Sequence, residues 1–187
     1  MPIPFREQED LENLGNVAFL KIEERSEPPG FRAALFQINA RGEPIEFTYN
    51  RVDTPNTFLW RPSDIRRAAA RQLTTSLLRL CPRAPRLILC LADEIPAELF
   101  GEDIAVALPV CRVLRSDSAT AAAVDLNKET GERVPLRFLW HPAQPDDGTP
   151  ERLLLEQLIS HGLLLEPFER ASAGLRELYG EAGLEDR

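Results

Sequence analysis

Five carboxylates crowd the eleven residues "DEIPAELFGED" (93–103): Asp93, Glu94, Glu98, Glu102 and Asp103. Oxygen ligands of this kind suit a hard cation such as Mg²⁺. Asp93 and Glu94 directly follow the apolar run "RLILCLA" (86–92), which has the length and composition of a strand buried on both faces. Open α/β sheets place their ligands at the carboxyl ends of such strands. The competing reading is a solvated turn after a strand, punctuated by Pro96 and Gly101, because no second acidic cluster supplies matching chemistry.

A second cluster is cationic. Residues 61–90 hold seven arginines, Arg61, Arg66, Arg67, Arg71, Arg79, Arg83 and Arg86, against the single acid Asp64, and no lysine. A guanidinium is a planar fork of donors that matches phosphate or carboxylate. On a helix Arg67 and Arg71 stand one turn apart, opposite Ile65 and Leu73. With Arg66 they are the candidate binding residues for an anionic ligand or for acids on a partner protein, and nucleic acid could bind only through this Arg61–Arg86 stretch. The competing reading is a solvated helix face balanced by the protein's own acids. The stretch lacks the lysines and interleaved aromatics of strand-binding surfaces.

Other chemistry is poorly represented. His141 and His161 are the only histidines, and neither has a metal-ligating neighbour at useful spacing. There is no G-x-S-x-G, no phosphate-binding glycine loop, no dinucleotide fingerprint and no CxxC pair. Cys81, Cys90 and Cys111 are widely spaced in apolar surroundings, which predicts free, buried thiols.

The chain has 187 residues, of which 43% are apolar and 28% charged, an ordinary globular balance. The net charge of −8 argues against a surface that binds nucleic acid all over. No apolar run reaches membrane-spanning length and the acidic start does not resemble a signal peptide, so a soluble cytoplasmic protein with no membrane partner is expected.

These residues need a scaffold. "NVAFLKIEERS" (16–26) reads as a strand, mostly buried and exposed at its charged end, with Val17, Phe19 and Lys21 on one side. "FRAALFQIN" (31–39) and "PIEFTYNRV" (44–52) form a hairpin around Gly42. Residues 63–80 predict a helix capped by Ser63, with Ile65, Ala69, Leu73, Leu77 and Leu80 at helical spacing, stopped by Pro82. After the buried strand 86–92 and the acidic turn, residues 104–114 predict a strand in which Pro109 marks an edge or bulge. "AVDLN" and "RVPLRFLW" flank "KETG" in a second hairpin. Thr149 and Pro150 open a helix closed by Gly162, and Pro167 opens another ended by Gly180.

Both tryptophans fall in one frame, "FLWRP" (58–62) and "FLWHP" (138–142). In a strand Phe58 and Trp60, like Phe138 and Trp140, share a face, and the X-Pro step then leaves the ladder. Four buried aromatics at strand ends are expected. The distances from Gly42 and Gly131 to the two frames differ, which excludes a strict repeat.

The fold class is therefore α/β (or α+β): a mixed sheet with an N-terminal antiparallel three-strand unit, a crossover helix, a buried central strand and a C-terminal helical pair. A single domain over 1–187 is expected, with a polar segment at 1–15, core sheet and helix at 16–115, and the second hairpin and terminal helices at 121–187. Three antiparallel strands, a helix and a buried strand ending in Asp93 resemble, in element order, the ribonuclease H-like fold over about residues 16–108. The resemblance implies acids in the first strand, the first helix and the end of the fourth strand. Glu23 or Glu24 would be the first and Asp93 the last, with Mg²⁺ as cofactor of two-metal hydrolysis. The helix departs from that pattern: it reads "IRRAAARQ", and Asp64 lies only at its mouth. The missing carboxylate and the absent motifs lead to the expectation of a non-catalytic protein-interaction or accessory subunit, a repurposed ribonuclease H-like domain with another protein as partner. The alternatives are a divergent metal-dependent nuclease and a regulatory module that binds an anionic ligand at the arginine-rich helix.

Overall fold

The computed structural model describes residues 9–54, 57–117, 120–126 and 130–180. The polar segment up to Gln8 and the part of the second hairpin turn at 127–129 lie outside the described residues. One sheet of seven strands organises the rest: β1 (Asn16–Ser26), β2 (Pro29–Asn39), β3 (Pro44–Asp53), β4 (Leu87–Leu91), β5 (Val110–Arg115), β6 (Ala123–Leu126) and β7 (Arg133–His141). Their order is β3-β2-β1-β4-β5-β7-β6. The centre is parallel (β1 with β4, β4 with β5) and both flanks are antiparallel. This is the mixed α/β sheet expected from the element order.

Helices cover both faces. Helix α1 (Pro62–Leu80) lays Ile65, Ala69, Ala70, Leu73 and Leu77 on Ala18, Leu20, Ala33, Leu35 and Ile88. Helices α2 (Pro150–His161) and α3 (Glu166–Tyr179) pack the other face over Val17, Phe19, Phe36 and Leu89. The alternation of side chains along β1 divides these two cores. Burying a leucine such as Leu73 or Leu77, both fully enclosed, contributes about 1.5–3 kcal/mol. The fully buried Gln37 ties the connection between α1 and β4 to the sheet: Nε2 donates to the Arg83 carbonyl at 2.9 Å and Oε1 accepts from Asn16.

Several expectations are corrected. Arg61, not Ser63, holds the cap position of α1, with Pro62 opening the helix and no side-chain cap bond. The strand expected at 104–114 begins only at Val110, and β5 lies inside the sheet between β4 and β7. Pro109 is not an edge residue: it precedes the strand, and its carbonyl accepts from the Ile88 amide at 3.1 Å. The two tryptophan frames part company. Phe138 and Trp140 lie on β7 and pack against the core in an edge-to-face pair, partly rather than fully buried. Residues Thr57–Leu59 form a 3-10 turn instead, leaving Phe58, Leu59 and Trp60 exposed at 87%, 86% and 44%. A strand pairs its face with a neighbour, whereas this turn passes outside the sheet.

Candidate functional site at the carboxyl ends of the parallel strands

Strands β1 and β4 pair from Val17↔Leu87 to Leu20↔Cys90, and β4 and β5 from Ile88↔Val110 to Leu91↔Val113. All three parallel strands therefore end at one rim. Beyond Leu91 the chain turns sharply, with the amides of Glu94 and Ile95 donating to the Leu91 carbonyl. Arg112 of β5 holds that turn from beneath: Nη2 donates to the carbonyls of Ala92 and Ile95 at 3.0 and 2.9 Å. The acids at the end of the buried strand are thus set in a clamped turn.

Asp93 borders cavities on both sides of the rim. One of about 430 Å³ lies between β4, β5 and α3, bounded by Lys21, Arg115, Phe168 and Glu169. Another of about 430 Å³ lies against the start of α1, bounded by Asp64, Arg66, Arg67 and Glu94. Asp93 is exposed and forms no hydrogen bond or ion pair among the described residues. Glu94 is different: its carboxylate pairs with Lys21 of β1, with side-chain exposures of 19% and 13%. Burial holds the Glu94 carboxyl above the ordinary carboxylate range, against the opposing pull of Lys21.

The other candidates are placed as follows. Glu23 accepts from Arg32 Nε at 2.8 Å, across the β1/β2 ladder. Glu24 lies on the α1 side with Ile22, lines a cavity of about 170 Å³ with Asp93 and Glu94, and pairs with Arg66 at 3.0 Å, both groups exposed. Asp64 accepts from Arg61 at the helix mouth at 2.7 Å. Arg67 forks onto Asp103 and also reaches Glu102. Arg71 makes no hydrogen bond among the described residues, although its charge helps to keep Asp103 ionised. It lines a groove of about 670 Å³ along α1 with Trp60, Gln72 and Arg79. A smaller cavity is lined by Trp60, Asp64, Arg67, Arg71 and Asp103.

Sequence reasoning passed over Lys21 and Arg112. Each leaves a signal, a cation flanked on both sides by buried apolar residues; Lys21 is one of only two lysines in the chain. The cysteines are free, with Cys90 and Cys111 buried and Cys81 partly so. Burial pushes the Cys90 thiol up to about 12, so it is no nucleophile.

The Mg²⁺ implied by the ribonuclease H-like resemblance meets a poor donor set. Glu23, Glu24 and Glu94 are each paired with a cation of the protein itself, and of the carboxylates that share a cavity, Glu24, Asp93 and Glu94, only Asp93 is unpaired. No group of three or more ligating side chains converges among the described residues. A hard cation needs several oxygens at once, and the residues do not fit one.

No protein-family model matches the chain, and no curated protein matches it. Solved structures do. The endonuclease V of Bacillus subtilis superposes with a TM-score of 0.53 at 12% identity, over 91% of this chain and 84% of that one. The endonuclease V of Streptomyces avermitilis superposes with a TM-score of 0.55 at 15% identity, over 90% of this chain and 82% of that one. At these identities the likeness is one of fold, and it agrees with the ribonuclease H-like element order. It overturns the expectation of a non-catalytic interaction or accessory subunit, which rested on missing motifs. In this architecture the rim residues come from separate strands brought together by register, so a short sequence motif was never the right test.

Proposed function

We propose that the chain is a divergent nuclease that engages a nucleic-acid strand at the rim of β1 and β4. The observation that carries this reading is the meeting of an unpaired carboxylate, Asp93, with the cations Lys21 and Arg66 at the carboxyl ends of paired parallel strands, in an endonuclease V-like fold. Hydrolysis of a phosphodiester needs a base beside the attacking water and positive charge beside the phosphoryl oxygens. Asp93 is the unpaired carboxylate open to water. Arg66 is held only by an exposed pair with Glu24, which a phosphate can displace at little cost.

The groove along α1 supports the same reading. Trp60, half exposed, stands in one groove with Arg71 and Arg79, so a base can stack while the guanidinium groups meet phosphates. This supplies the aromatic partner that the arginine stretch lacked in sequence.

The test uses labelled single- and double-stranded DNA and RNA, with Mg²⁺, with Mn²⁺ and in chelator. Cleavage of at least one substrate by the native chain, abolished by Asp93→Ala, is expected. Arg71→Glu should weaken strand binding by roughly tenfold. If the native chain neither binds nor cuts any of the four under any condition, the reading fails.

A further inference from the structure

We propose that Lys21 is a built-in cation standing where a divalent ion would sit at the mouth of β1 and β4, so that Asp93 and Glu94 take no metal and the positive charge facing a bound phosphate is the ammonium's own. Register places it there. The β1/β4 pairing ends at Leu20↔Cys90, so the next residue of β1, Lys21, falls beside the end of β4, just before Asp93 and Glu94. The side chain shares the face of Phe19, which packs edge-to-face on Phe168 of α3. Its neighbours Leu20 and Ile22 are buried in the opposite core. An ammonium so enclosed needs a fixed anionic partner, and Glu94 is that partner.

The pair also removes the ligands a metal would need. Glu94 gives Oε1 to the ammonium, while its Oε2 is buried without a hydrogen-bond partner and presents no face to a hydrated ion. Mg²⁺ keeps several of its waters and demands near-octahedral geometry, which the single unpaired carboxylate, Asp93, cannot supply while Glu24 of the same cavity is paired with Arg66. A divalent ion drawn to Asp93 would also meet the Lys21 charge across a partly buried gap that salt screens poorly. The part of the inference that concerns phosphate rests on the nuclease reading; the exclusion of metal does not.

The experiment titrates Mn²⁺ into the full chain and reads free ion by electron paramagnetic resonance, beside strand binding by fluorescence anisotropy in chelator. The native chain should leave Mn²⁺ free at millimolar concentration. Lys21→Asp should raise Mn²⁺ affinity by about tenfold or more, and adding Glu94→Gln to it should remove the gain. Lys21→Met, which keeps the length of the apolar stem, should show a smaller gain and covers the case in which Lys21→Asp does not fold. Mn²⁺ binding by the native chain that disappears in Asp93→Ala overturns the inference. So does a folded Lys21→Asp chain that stays silent toward Mn²⁺. Strand binding should weaken in Lys21→Met; absence of strand binding by the native chain, with the Mn²⁺ results as expected, would sink the nuclease reading and leave the metal exclusion standing.

Discussion

Arg67 of α1 and Asp103, in the turn Leu99–Asp103 that follows β4, form a two-point ion pair in which Nε and Nη2 each lie 2.8 Å from one carboxylate oxygen. The pair joins the arginine helix to the acidic turn, so two clusters that look like separate binding features in sequence neutralise one another in part. A planar fork on a carboxylate is the geometry in which such a pair is strongest.

That pair carries a pH signature. Hydrogen bonds from Arg67 hold the Asp103 carboxyl below the ordinary carboxylate range, and Arg67 stays charged throughout. A depressed folded value means stability that is present above the unfolded value, about 3.9, and lost as pH falls through the folded one. Thermal melts should show the native chain above Asp103→Asn near neutrality, with the gap closing under acid conditions. A gap that stays constant down to the lowest pH would refute this.

Asp125 behaves in the opposite sense. It is buried on the edge strand β6, and its two oxygens accept the amides of Leu164 at 3.3 Å and Leu165 at 3.2 Å, tying β6 to the connection between α2 and α3. Burial raises its carboxyl above the ordinary range despite those two bonds. The folded state therefore binds the proton more tightly, and the linked stability is full below the unfolded value and lost as pH rises through the folded one. Asp125→Asn does not titrate, so its melting temperature should gain on the native chain as pH rises from acid toward neutral. Asp125→Ala, which orphans both amides, should cost about 1–3 kcal/mol in denaturant unfolding under acid conditions, and less as pH rises.

The tryptophans report the divergence of their frames. Trp60 is exposed at the start of α1, whereas Trp140 on β7 packs against Phe138 and the core. Trp140→Phe should leave red-shifted emission readily quenched by acrylamide. Trp60→Phe should leave bluer emission that is better shielded. Equal quenching in the two variants would contradict the structure.

The elements were legible because each is written in local periodicity. Strand β1 carries apolar residues on both faces until its charged end, α1 repeats small and large apolar residues at helical spacing, and α2 is framed by Thr149 and by Gly162 at φ 66°. Misreadings occurred where the answer lay outside the segment. Pro109 reads as an edge residue, but the strand starts one position later and is covered on both sides. "FLWRP" reads like "FLWHP", but only the latter has a strand beside it to pair with.

Sequence alone determined the fold class, the two hairpins, the apolar face of α1, and the placing of Asp93 and Glu94 at the end of a buried strand, because backbone propensity and side-chain period act over a few residues. Tertiary structure decided the site. Parallel pairing of β1 with β4 sets Lys21 against the acidic turn, while Glu24 shares a cavity with Asp93 and Glu94 and Glu23 is paired with Arg32; α1 packing spends Arg66 and Arg67 on the chain's own acids; and the turn before α1 sets Trp60 beside Arg71. Electrostatic partners are chosen by distance in space, and register and packing set that distance.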